Sequence, residues 1–188
     1  MVIGITGGSG GGKTTVSNEF KKAGFNIIDA DEVAHKVMEK GSPCLKQVIE
    51  VFGSEYLNEN GELDRKKLGA VVFADPEKLA LLNSITHDHI INKIKEKITE
   101  KTVIDVIGLF DTQLHSLCDS TIFVYCPEDI RVERIMKREG ISKEYALKRI
   151  KAQKNDEYFK QKADYTVIND GIKDIKEQLK GIYGEEIF

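Results

Sequence analysis

The run Gly7-Gly8-Ser9-Gly10-Gly11-Gly12-Lys13-Thr14 has the residue types and spacing of a phosphate-binding loop, G-x-x-x-x-G-K-[ST], with Gly7 and Gly12 as its two glycines. Glycines let successive backbone N–H groups converge on a polyphosphate, and the N-terminus of a following helix adds partial positive charge. In that chemistry the Lys13 ammonium reaches the β- and γ-phosphates and the Thr14 hydroxyl ligates Mg²⁺. The loop points to a nucleoside triphosphate. Asp29 and Asp31 stand two residues apart at the end of an apolar run, where a carboxylate can accept a proton from an attacking hydroxyl or orient a metal's water shell. In an extended chain the two would point the same way and share a site. Asp31 is also placed to be the N-cap of a helix over residues 32–40, and capping and catalysis are compatible. Asp29 reads more as structure. Val103-Ile104-Asp105 resembles an apolar strand ending in an acid that assists Mg²⁺ through water.

A second group of candidates is cationic. Arg131, Arg134, Lys137 and Arg138 crowd one stretch, and Lys148, Arg149 and Lys151 follow. On a helix Arg134 and Arg138 share a face, suited to offsetting the charge of a transferring phosphoryl group. The competing reading is a solvated basic face paired with Glu133, Glu139 and Glu144. His35, His89 and His115 have no metal spacing and read as surface or satisfied core residues. The Asn169-Asp170-Gly171 run reads as a turn after a late strand, equally able to lie beside a bound base.

Elements must hold these residues in place. Short β-branched apolar runs predict strands at Val2–Thr6, Asn26–Asp29, Val103–Val106, Thr121–Tyr125 and Tyr165–Ile168. Helical periodicity covers Thr14–Ala23, Asp31–Lys40, Cys44–Phe52, Arg65–Val72, Pro76–Thr99, Pro127–Arg138, Lys143–Gln153 and Ile172–Tyr183. This alternation predicts an α/β fold, a doubly wound parallel sheet of about five strands, with the strandless block 31–99 as a helical excursion. In such sheets ligands bind beyond the carboxyl ends of the strands, where the glycine loop also falls.

At 188 residues the chain suits one domain, and 40% apolar content is enough for a continuous core. A formal net charge of −3 gives no general case for a nucleic-acid partner. Cys44, Cys118 and Cys126 form no CxxC pair and read as reduced thiols of a cytoplasmic protein. The first strand begins at Val2, leaving no room for a signal peptide, and no apolar run approaches a membrane span.

Taken together these residues resemble the dephospho-CoA kinase family over nearly the whole chain. Ile3-Gly4-Ile5-Thr6-Gly7-Gly8 leads into the loop, and Asp29-Ala30-Asp31 matches the family's Asp-Ala-Asp signature. Leu63-Asp64-Arg65 through Gly69 with Val72-Phe73 matches its Asp-Arg and Val-Phe segment, and Leu82, Ile85 and His87 its Leu-x-x-Ile-x-His helix. Arg134, Arg138, Arg149 and Gln153 match the lid pattern, and Ala163-Asp164 through Ile168-Asn169 the ending. The resemblance implies a P-loop nucleotide-kinase core (1–30, 100–126 and 163–188), a helical acceptor-binding region (31–99) and a mobile lid (127–162). It implies that Gly8, Ser9, Gly10, Gly11, Gly12, Lys13, Thr14 and Thr15 bind ATP together with Arg134, Arg138, Arg149 and Asn169. Lys13, Asp31 and Arg138 would be the catalytic set, with Asp31 the base. Asp31, Arg65 and His87 would bind dephospho-CoA, and Thr14 with Asp105 would serve Mg²⁺. The implied partner is a small molecule, with no nucleic acid and no membrane.

The chain departs from the family pattern at Asp88, where proline usually follows the histidine, and at Ile107-Gly108-Leu109-Phe110-Asp111, where Pro-Leu-Leu-Phe-Glu is usual. Ile107 loses a rigid turn residue and Asp111 keeps a carboxylate on a shorter stem. Three other functions use the same loop: a nucleoside monophosphate kinase, an ATP-binding paralogue with altered acceptor chemistry, and a GTP-driven switch. The switch would carry an Asn-Lys-x-Asp element, which this chain lacks.

Overall fold

The apolar runs become the strands of one sheet in a computed structural model that describes residues 1–188. The strands are β1 (Val2–Thr6), β2 (Asn26–Asp29), β3 (Thr102–Asp105), β4 (Ser120–Tyr125) and β5 (Tyr165–Ile168), in the order β2-β3-β1-β4-β5. β1 pairs in parallel with both β3 and β4, and β4 with β5. Ile3, Ile5, Val103, Ile104, Ile122 and Val124 are essentially inaccessible, as strands covered on both faces require. The chain turns away from β1 in both directions across the sheet. The loop leaving β1 therefore sits at a topological switch point, at the strands' carboxyl ends.

Two compact units divide the chain, Met1–Ile28 with Ile98–Phe188, and Asp29–Lys97. The first holds the sheet. Helix α1 (Lys13–Lys22) packs Val16 and Phe20 into a core with Ile3, Ile5, Val103, Ile122, Val167 and Leu179. Each such side chain, fully buried, contributes about 1.5–3 kcal/mol. After β4 come α6 (Glu128–Glu139), α7 (Lys143–Lys151) and α8 (Asp156–Lys162), and α9 (Ile175–Tyr183) follows β5. Val132 and Ile135 of α6 bury against Ala146 and Ile150 of α7 in a small core of their own.

The second unit is helical: α2 (Ala30–Val37), α3 (Pro43–Phe52), α4 (Arg65–Val72) and α5 (Pro76–Lys95). Cys44, Val48, Leu68 and Val72 form its core, with Leu82 and Ile85 of α5 packed alongside. Side-chain caps start its helices: Asp29 for α2, Ser42 for α3, Asp64 for α4 and Asp75 for α5.

Differences from the predicted elements have local causes. The helix α8 is absent from the periodicity because its seven residues carry one buried apolar side chain, Phe159, too few to show a period. The last helix starts at Ile175 rather than Ile172. Asp170 first turns the chain by accepting from the Ile172 and Lys173 amides, and Asp174 then caps α9. The stretch Leu109–Leu117, unassigned by pattern, winds into two 3₁₀ turns at Leu109–Asp111 and Gln113–Leu117. No helix is long and apolar enough to cross a membrane.

Candidate active site

The glycine loop runs from the end of β1 to the first turn of α1. Helix α1 has Gly12 as its N-cap and no side-chain cap, so its first-turn amides form an anion-binding end. Gly12 takes the left-handed conformation, φ 85°, and a Cβ there would lie 2.0 Å from Asn169 Nδ2. Only glycine serves at this point. The Lys13 ammonium arches back to donate to the Gly7 carbonyl at 3.3 Å.

The carbonyl face of the loop is held from outside. Arg131 Nε donates to Ser9 O at 3.0 Å, and Arg134 Nη1 donates to Gly10 O at 3.4 Å. Asn169 Nδ2 donates to Gly11 O at 3.0 Å and Gly12 O at 3.3 Å, while Arg134 Nη2 donates to the Asn169 Oδ1 at 3.3 Å. Three side chains thus fix four successive carbonyls. A peptide whose carbonyl is held on one side presents its N–H to the other, which is the orientation a phosphate cradle needs. Arg134 also donates to Cys126 Sγ at 3.4 Å. Burial pushes that thiol's pKa up while the neighbouring Arg134 and Arg131 charges oppose the shift.

The basic stretch divides in two. Arg131 and Arg134 turn inward to the loop, whereas Arg138 and Arg149 both engage Glu139 on the exposed side of α6 and α7. The Arg138 guanidinium, with Arg149 beside it, holds the Glu139 carboxyl below the usual carboxylate range. Lys148 pairs with Glu144 at 3.1 Å, so on this outer side Glu139 and Glu144 are the acidic partners of the basic residues.

At the end of β3, Asp105 Oδ2 accepts from Ser17 Oγ at 2.9 Å. Ser17 lies one turn beyond Thr14 on α1. Thr14 and Thr15 are exposed. Beside this strand, Thr6 Oγ1 donates to Ile107 O at 2.7 Å, and Asp111 accepts from the Tyr158 hydroxyl at 2.7 Å. Those bonds hold the segment in which Ile107, Gly108 and Asp111 depart from the family pattern.

In the helical unit the aspartate pair is sorted by the backbone. Helix α2 starts at Ala30, so Asp29 is its cap and accepts from the Asp31 and Glu32 amides at 2.9 and 3.0 Å. This corrects two expectations. Asp31 is not the cap, and the two carboxylates do not share one side of an extended chain, because Asp31 already lies in the helix's first turn. Its exposed side chain stands in the first turn of α2. Arg65 opens α4, and its Nη2 donates to His35 O at 3.1 Å. Arg65 also lines a cavity of about 230 Å³ with Met38, Glu39, Lys40, Glu62 and Leu63. His87 is half-buried in the middle of α5, and His89 hydrogen-bonds Gln47 at 3.0 Å.

Ser17 went unassigned by motif reading, and Arg131 and Gln153, counted with the basic stretch and the lid pattern, were not placed against the loop. Arg131 lies three residues before Arg134, on the same helix face, which was the available signal. Gln153 bonds Ser9 across 144 residues, a pairing that no local pattern announces.

Known proteins match this arrangement. A family model described as dephospho-CoA kinase matches residues 1–174. A dephospho-CoA kinase of Carboxydothermus hydrogenoformans is 42% identical over 186 residues, spanning 95% of this chain and 90% of that one. A crystal structure from Thermus thermophilus aligns with a TM-score of 0.82 at 29% identity, covering 98% of this chain and 97% of its own. A dephospho-CoA kinase from Campylobacter jejuni aligns with a TM-score of 0.69 at 26% identity, covering 98% and 96%. The resemblance drawn from the motifs is borne out: the chain belongs to the dephospho-CoA kinase family and is a kinase acting on the ribose hydroxyl of dephospho-CoA.

Proposed function

We propose that the donor is ATP and that its γ-phosphoryl group passes to the ribose 3′-hydroxyl of dephospho-CoA, giving coenzyme A. The observation that carries this reading is the loop itself, with four carbonyls pinned outward beside an uncapped helix N-terminus. The loop from Gly8 to Thr15 binds the polyphosphate through amides other than those of Ser9, Gly11 and Thr15, which Gln153, Gly8 and Gly12 hold, and Lys13 leaves Gly7 to neutralise the β- and γ-oxygens. Arg134 and Asn169 act chiefly by holding the loop. Arg138 and Arg149 exchange Glu139 for the nucleotide when the lid region closes, which excludes water as a competing acceptor.

In the acceptor unit Arg65 and His87 bind dephospho-CoA. Asp31 accepts the proton of the 3′-hydroxyl as the oxygen attacks phosphorus, and the phosphoryl group leaves ADP in line. The donor set fits Mg²⁺. Thr14 and Asp105 offer hard oxygens, and the Ser17 hydroxyl orients the Asp105 carboxylate. Few protein oxygens suit an ion that keeps waters and takes phosphate oxygens; when bound it neutralises charge on the polyphosphate. All three cysteines are free thiols, which supports a reducing, cytoplasmic setting.

The test is an acceptor panel. Purified protein with Mg-ATP is expected to phosphorylate dephospho-CoA and not AMP, CMP or dTMP. Turnover of a monophosphate without conversion of dephospho-CoA would overturn the acceptor, and activity with GTP but not ATP would overturn the donor.

A further inference from the structure

Ser9 is the loop residue most heavily engaged by distant side chains. Its N–H donates to Gln153 Oε1 at 2.8 Å, its Oγ accepts from Gln153 Nε2 at 2.8 Å, and its carbonyl accepts from Arg131 Nε at 3.0 Å. All three polar groups of one residue are therefore taken by two side chains. Ser9 is 6% exposed and Arg131 5%. A buried guanidinium requires a counter-charge, and Arg131 Nη1 finds one in Asp156 at 3.4 Å, in the first turn of α8. Gln153 follows the C-terminus of α7. The space is filled: a Cβ on Gly8 would lie 2.1 Å from Arg131 Nη2 and 3.0 Å from Gln153 Oε1.

We infer that Gln153 and Arg131 are positioning residues that lock the phosphate loop to the α7–α8 segment through Ser9, so that this segment sets the affinity for the triphosphate. Neither residue needs to touch the nucleotide. Gln153 satisfies the Ser9 amide and hydroxyl together, which fixes the Ser9 peptide plane and so aims the amides that follow. Arg131 fixes the opposite side of the same residue and carries the constraint to α8. Displacing the segment would release the loop, and ordering the loop on a triphosphate would in turn hold the segment, since coupling of this kind is reciprocal.

The inference rests on ATP being the donor, and the experiment separates the two. Mg-ATP is titrated by calorimetry into wild type, Gln153→Met, Ser9→Ala and the double variant, with steady-state kinetics on both substrates alongside. Gln153→Met keeps the volume and removes both bonds. It is expected to weaken ATP binding and raise KM for ATP about tenfold, with kcat within about threefold and KM for the acceptor unchanged. The double variant is expected to be no more than about twofold weaker than Gln153→Met, because both changes break the same contact. ATP affinity of Gln153→Met equal to wild type, or losses that multiply in the double variant, would overturn the inference. Asp156→Asn guards against misfolding of the first variant. It loosens Arg131 from a partly exposed position and is expected to weaken ATP about threefold; wild-type affinity there also overturns the inference. A wild-type protein that binds no Mg-ATP would overturn the donor assignment and this inference together.

Discussion

The two compact units hold their candidate residues by different means. In the sheet-bearing unit the ties to the loop span the chain: Arg131 to Ser9 is 122 residues, Gln153 to Ser9 is 144 and Asn169 to Gly11 is 158. In the helical unit the polar ties are short. Asp29, Asp64 and Asp75 cap helices two or three residues ahead, and the bond from Arg65 to His35 spans 30. Long-range ties to backbone fix a cradle before any ligand arrives, the condition under which oriented dipoles stabilise a transferring group without reorganising. Local caps fix the ends of helices and leave the side chains between them on the surface. The loop of the sheet-bearing unit is preorganised, and the helical unit presents Asp31 and Arg65 as exposed groups on its helices.

If that contrast is right, damage should divide the same way. The largest effect is expected from Lys13→Ala. Its ammonium is the one cation of the loop itself, and removing it should lower kcat by roughly a thousandfold, as for other single groups that stabilise transition-state charge. Lys13 is half-exposed at the loop rather than in the core, so the thermal midpoint should move little. A rate within tenfold of wild type would break the assignment of the loop. Asp31→Asn should lower kcat by about a hundredfold, with calorimetric ATP affinity within twofold. Asp31 does not cap α2 and Asn keeps its volume, so the thermal midpoint should fall only slightly beside the loss in kcat. An unchanged kcat would remove Asp31 from the chemistry and leave the acceptor half without a base.

What could be read beforehand follows the same division. The loop, the strands and most helices were legible because glycine spacing, β-branched runs and 3.6-residue periodicity are local signals. The Asp29–Asp31 pair was read as one site because strand geometry was extended one residue too far. Ala30 already has helical geometry, and that single residue turns Asp29 into a cap. The basic stretch could be counted but not sorted. Arg131 and Arg134 point inward and Arg138 outward because α6 buries Val132 and Ile135, a choice made by packing against α7 rather than by the arginines. The Ser9 clamp was invisible because its partners meet only in three dimensions.

A smaller effect sharpens the contrast from the acceptor side. Arg65→Ala removes one bond to a backbone carbonyl and one wall of a 230 Å³ cavity. KM for dephospho-CoA is expected to rise about tenfold, with ATP affinity and the thermal midpoint close to wild type. If ATP affinity fell in parallel, the two halves would not be separable in the way their hydrogen bonds suggest.

The effect most remote from catalysis concerns stability in alkali and belongs to the sheet-bearing unit. Burial pushes Tyr183 up to about 12, against the hydrogen bond with Ser120, which lowers it; the two oxygens lie 2.9 Å apart. Burial, with the Asp119 charge added, pushes the Cys118 thiol up to about 12 as well. For both groups the proton-bound form is neutral, and the folded state holds its proton to higher pH than the unfolded chain. Their contribution is therefore complete below the ordinary values of 9.0 and 10.0 and is lost as pH rises toward about 12. Urea unfolding at pH 8 and pH 11 should show a loss of a few kcal/mol from this source, the thiol contributing more than the phenol. Tyr183→Phe should be slightly less stable at pH 8, having lost the Ser120 bond, yet fall less steeply toward pH 11. An equally steep fall in that variant would place the alkaline sensitivity elsewhere. Cys118, whose thiol burial raises furthest from its ordinary value, would then be the group that carries it.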